Sequence, residues 1–125
     1  MSAMLGFGQP MGGVAQTAFI VPDLQQAILR WAGDKKAGPF FVLPHLLAPG
    51  QIYRGEESRA DVTLAMGFAG HMMIELIQPL DDHPSVYKET IEQRGFGFHH
   101  VGIGFTDVDA ASADYQSRGF HEAYR

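Results

Sequence analysis

Hydrophobic and polar positions alternate along several short stretches of this 125-residue chain and recur at helical spacing along others. Residues 14–21 read as a strand. Pro22-Asp23 is a turn, with Asp23 placed to cap a helix. Leu24, Ala27, Ile28 and Trp31 then fall on one helical face, and Gly33 ends that helix. Gly38-Pro39 opens the apolar run Phe40-Phe41-Val42-Leu43, a short strand, and Pro44 and Pro49-Gly50 interrupt the next stretch. Residues 51–60 predict a strand edge and a turn. Residues 61–68 alternate as a strand, Ala69-Gly70 makes a hairpin turn, and 71–78 is the next strand. Beyond a polar turn over 79–84 come a short helix at 86–93, a strand at 98–105 and a helix at 109–118 that Gly119 caps. The expected order is β-α-β-β-β, a linking helix, then β-α.

Two of these segments read like copies of one another. Gln16-Thr17-Ala18-Phe19-Ile20-Val21-Pro22-Asp23-Leu24 and His100-Val101-Gly102-Ile103-Gly104-Phe105-Thr106-Asp107-Val108 are each an apolar strand opened by a polar residue. In each, an Asp follows that residue by seven positions and leads into an Ala-rich helical pattern. Such a repeat predicts two related modules in one domain. It divides the chain into a Gly- and Met-rich, flexible N-terminal arm (1–13), a complete first module (14–80), a linker helix (81–97) and a second module (98–125) that holds only its first two elements. A sheet that stops there leaves an unpaired edge. The expectation is either a truncated chain or a partner chain that covers the edge.

Composition narrows the function. The formal net charge is -5 and no Lys/Arg cluster stands anywhere along the chain, which argues against nucleic-acid binding. The absence of cysteine excludes disulfides, thiolate metal sites and Cys nucleophiles. No apolar run approaches the ~20 residues of a membrane span, and the first residues carry no basic region ahead of an apolar one. A cytoplasmic protein acting on a small molecule is the expectation.

Three side chains stand out as candidate ligands. Gln16 and His100 occupy matching points of the repeat, and Glu75 lies in a similar apolar strand between them. Along 98–105, His100, Gly102 and Gly104 share a face, which leaves room above it. Along 71–78, Glu75 shares a face with His71, Met73 and Ile77. A carboxylate buried unpaired in apolar company is costly, so a metal or a strong hydrogen-bond partner is expected. The plainer alternatives are a surface Gln16, a Glu75 paired with an arginine such as Arg94, and a satisfied core His100. His99 is expected on the opposite face in a structural role. His71, about 13 Å from Glu75 along a strand, is at most a pocket wall. His45, His83 and His121 read as loop residues, Phe40, Phe41 and Trp31 as core, and Arg54, Glu56, Glu57 and Arg59 as a solvated turn.

From about residue 14 to 125 the chain resembles the vicinal oxygen chelate superfamily, which includes glyoxalase I, methylmalonyl-CoA epimerase, extradiol dioxygenases and bleomycin-resistance proteins. Three stretches carry the resemblance: Gln16–Leu24 with its V-P-D-L turn, Ile74-Glu75-Leu76-Ile77-Gln78-Pro79, similar to an I-E-L-x-x-P strand, and Gly95-Phe96-Gly97-Phe98-His99-His100-Val101, similar to G-x-G-x-H-H-[IV]. It implies an α+β fold of paired βαβββ modules forming a curved mixed sheet, with the second module truncated after its helix. It also implies a divalent metal held by Gln16, in the place usually held by His, with Glu75 and His100. The fourth ligand, a Glu on the last strand of the second module, has no counterpart. Such a donor set suits Zn, Mn, Fe, Co or Ni, with open positions for a substrate carrying vicinal oxygens. The implied function is a metalloenzyme of isomerase, epimerase or lyase type. The alternatives are a metal-free, bleomycin-resistance-like binding protein and an extradiol-type dioxygenase. A homodimer is expected under each. The frame is most similar to methylmalonyl-CoA epimerase, whose first carboxylate base would fall near Arg59; Glu57 or Asp61 substitutes only if the register shifts.

Overall fold

Asp23 and Asp107, the acidic residues of the repeat, both cap helices. Asp23 accepts from the Gln26 amide at 3.1 Å and Asp107 from the Ala110 amide at 2.9 Å. These contacts begin α1 (Leu24–Asp34) and α3 (Val108–Ser117), and the Ser85 side chain starts α2 (Val86–Arg94) in the same way. The computed structural model describes residues 5, 6 and 8–125. Residues 1–4 and 7 of the expected arm lie outside the described residues.

The strands are β1 (Val14–Ile20), β2 (Phe41–Leu43), β3 (Ile52–Tyr53), β4 (Glu56–Glu57), β5 (Val62–Ala69), β6 (Met72–Pro79) and β7 (Gly97–Ile103). Five of them form one curved mixed sheet in the order β2-β5-β6-β1-β7. β1 runs parallel to β6 and antiparallel to β7, so the strands that carry Gln16 and His100 lie side by side, with β7 at one edge of the sheet of this α+β fold. Period-two alternation sorts the core into two layers. On one face Leu24, Ala65, Ile74 and Leu76 are buried with Phe19, Trp31 and Phe40 under α1. On the other face Ala18, Val62, Leu64 and Ile77 are buried with Met66 and Tyr87. The Phe40 ring packs against Gly67, where an added Cβ would stand 2.6 Å from a ring carbon.

Several expectations are corrected. Phe41 is 63% exposed rather than core, because β2 is the outermost strand and only its neighbour Phe40 turns inward. α1 continues through Gly33 to Asp34. His71 belongs to the turn before β6, not to the strand. The stretch 51–60, expected as a strand edge and a turn, forms the small hairpin β3–β4, with Arg54 (φ 47°) and Gly55 (φ 86°) supplying the reversal; Glu56 and Glu57, expected in a solvated turn, form its second strand and stay exposed. Arg54 there grips Glu89 of α2, with Nη2 at 2.7 Å from Oε1 and Nε at 2.9 Å from Oε2, and the Tyr53 hydroxyl donates to the same carboxylate. The C-terminal residues pair with β3 on its other side: Ile52 and Arg125 exchange backbone hydrogen bonds of 2.8 and 2.9 Å.

Candidate metal centre

β1 carries Gln16, and its register places the rest of the site. Ala18 sits opposite Glu75 on β6 and opposite His100 on β7. Gln16 lies one pleat along, opposite Met73 and Gly102. Ala18 is fully buried, and its small side chain lets the two flanking groups lean together over it. The three expected side chains therefore converge. Gln16 Nε2 donates to Glu75 Oε2 at 3.2 Å, and His100 Nε2 lies 3.6 Å from Glu75 Oε1. The bare backbone of Gly102 makes room for the amide, since a Cβ there would stand 2.6 Å from Gln16 Oε1.

Electrostatics follow from the partial burial. Glu75 has 14% of its side chain exposed and His100 has 37%, so the pair is desolvated yet reachable from outside. Burial pushes the Glu75 carboxyl above its usual range, and the Gln16 amide pulls it back in part. Burial, with a smaller contribution from His99, lowers His100 to about 4. At neutral pH the ring is therefore uncharged, and the 3.6 Å approach to Glu75 is not an ion pair. Among the described residues no Arg takes the place of a counter-ion, and the polar atoms found beside the carboxylate are those of Gln16 and His100.

His99 is the residue the sequence misplaces. The pairing of β7 with β1 slips between Ala18 and Phe19, which face His100 and Phe98, so His99 has no partner and forms a bulge. Instead of pointing to the opposite face, its ring meets His100, with the two Nδ1 atoms 2.7 Å apart, while its Nε2 lies 3.0 Å from the Val86 carbonyl oxygen. Tyr87, which the sequence did not single out, stacks on His99 at 5.2 Å between centroids. Burial, then Tyr124 and Glu75, push its phenol up to about 12, so it stays protonated beside the site. Neither candidate base is free at a reacting position: Glu57 is exposed on β4, and Asp61 Oδ2 lies 2.8 Å from His45 Nδ1. A surface groove of about 440 Å³ lies between the Val21–Asp23 turn and Trp31 and Lys35 of the α1 layer, across the sheet from the trio.

Among the described residues, no group of three or more His, Asp or Glu side chains could hold a metal ion. The set reaches three donors only through the Gln16 amide. Amide oxygen and nitrogen are nearly isosteric, so rotating that amide replaces the donated hydrogen bond with an oxygen donor. An ionised carboxylate, a neutral imidazole and an amide oxygen then make a fitting, incomplete set for a divalent cation.

The profile of the Glyoxalase/Bleomycin resistance protein/Dioxygenase superfamily matches residues 15–125. No protein with a curated description matches the chain. Among solved structures, a hypothetical protein from Bacillus halodurans superposes with a TM-score of 0.60 at 22% identity, covering 86% of this chain and 68% of the other. A Streptomyces coelicolor methylmalonyl-CoA epimerase variant in complex with 2-nitronate-propionyl-CoA superposes with a TM-score of 0.59 at 18% identity over 89% of this chain and 74% of that one. The methylmalonyl-CoA epimerase of Mycobacterium tuberculosis gives 0.54 at 23%, over 87% and 65%. At these identities the likeness is one of fold.

Proposed function

Because the chain belongs to the glyoxalase/bleomycin resistance protein/dioxygenase superfamily, we propose that it is a metal-dependent enzyme in which Gln16, Glu75 and His100 hold one divalent cation before a small substrate with adjacent oxygens. The Glu75 carboxylate carries this reading. It is desolvated, held above its ordinary pKa and, among the described residues, met by an amide and an uncharged imidazole. A carboxylate in that state gains most from a cation. When bound, the cation supplies Lewis-acid polarisation of a substrate oxygen.

The chain's own residues do the rest. Ala18 and Gly102 keep the floor low enough for a ligand to approach, and Tyr87 walls one side with a phenol that stays protonated. Isomerase, epimerase and lyase reactions of this kind share a carbon acid beside a carbonyl oxygen, and a polarised oxygen is their common need. The neighbouring epimerase structures bind acyl-CoA esters, which supports a carbonyl compound of that class as substrate.

Elemental analysis of protein purified without chelator or affinity metal tests the proposal. About one divalent cation per chain is expected, with its loss in the Glu75→Ala/His100→Ala double variant. No cation in the wild type, even after reconstitution, would overturn it. One observation favours a second reading, a metal-free ligand-binding protein: Gln16 already donates to Glu75, so the pair is partly satisfied by itself.

A further inference from the structure

We infer that His99 is a positioning residue that fixes the tautomer of His100, so that the first turn of the linker helix decides which nitrogen His100 presents to the site. The bulge in β7 and the packing of Tyr87 bring the His99 ring between the Val86 carbonyl and His100. The Val86 oxygen can only accept, and it also accepts from the Thr90 hydroxyl at 3.0 Å. His99 Nε2, 3.0 Å from that oxygen, must therefore carry the proton. A neutral imidazole has one N–H, which leaves a lone pair on His99 Nδ1. That atom is 2.7 Å from His100 Nδ1, a separation that requires a shared proton, and only His100 can supply it.

His100 is thus the Nδ1–H tautomer. Its Nε2, the atom 3.6 Å from Glu75 Oε1, holds an unshared lone pair aimed at the trio. A histidine ring left to itself favours the proton on Nε2, which would block that position. The partner of the non-ligating nitrogen sets the state of the ligating one, and this is the role His99 performs. The effect on metal binding rests on the proposal above; the tautomer itself does not.

The test is long-range ¹⁵N–¹H correlation of the imidazoles at neutral pH in metal-free wild type, His99→Phe and His99→Asn proteins, followed by zinc competition titrations of each. The wild type should show His100 protonated on Nδ1 and bare on Nε2. His99→Phe should move most of the population to Nε2–H and weaken zinc binding by about 10–100-fold. His99→Asn, which keeps an acceptor oxygen at the position of Nδ1, should restore both. An Nε2–H or doubly protonated His100 in the wild type, or an unchanged tautomer in His99→Phe, would overturn the inference. If the tautomers follow the expected pattern but zinc binds none of the proteins, the relay stands and the metal proposal fails.

Discussion

A carboxylate packed beside Ala18, with Met73 and Ile77 along its own strand face, is a liability until something shares its charge. The sign of the Glu75 shift makes this measurable. Its folded-state pKa is raised, so below its unfolded value the protonated side chain costs nothing, and stability is lost as pH rises through the folded pKa. Metal-free Glu75→Gln protein should therefore melt higher than metal-free wild type at neutral pH and equal to it in acid; saturating zinc should reverse the order. Melting curves across pH, with and without zinc, check both halves. Gly102→Ala is the complementary probe, because its methyl would press on Gln16 Oε1. It should weaken cation binding on the order of tenfold. Gln16, Glu75 and His100 could be singled out in the sequence from the internal repeat and the family resemblance, while alternation within each strand showed only which neighbours share their face. His99 was not legible, since a bulge is a property of pairing register and leaves no mark on the alternation.

At the scale of elements, Asp23 caps α1 as its place before the helical pattern predicted, and Asp107, its counterpart in the repeat, does the same for α3. Asp23→Ala should cost about 1 kcal/mol in denaturant unfolding, the ordinary worth of an N-cap. In the 51–60 stretch the sequence showed a strand edge and a turn but not the second strand, because two-residue strands are too short for periodicity to register and because Arg54 stands in a left-handed turn position that usually signals glycine. Its anchor has a pH signature. Hydrogen bonds from Arg54, then Tyr53, hold Glu89 down to about 2, so its contribution is complete above the ordinary carboxylate value and lost as pH falls from there toward 2. Glu89→Gln should lower the melting temperature at neutral pH, and the gap to wild type should close by about pH 2. A gap that persists in acid would mean that packing, not charge, carries the contact.

For the whole molecule, the βαβββ-then-βα order was readable from hydrophobic period and turn residues, but the sheet order was not. Periodicity states that strands exist; only the packed chain shows that β1 sits between β6 and β7, which is what brings three distant residues to one spot. The homodimer expected from the sequence remains a proposal. It draws support from β2, an edge strand whose Phe41 and Val42 are exposed. Sedimentation at micromolar concentration should give the mass of two chains, and a single-chain mass would count against it. Among the described residues no helix is long and apolar enough to cross a membrane. The central claim is that Gln16, Glu75 and His100 close on one cation. Anomalous diffraction from zinc-soaked crystals tests it most directly. One strong peak is expected about 2.0–2.2 Å from a Glu75 oxygen and from His100 Nε2. A fully occupied zinc elsewhere, with the trio hydrogen-bonded as it is now, would contradict it.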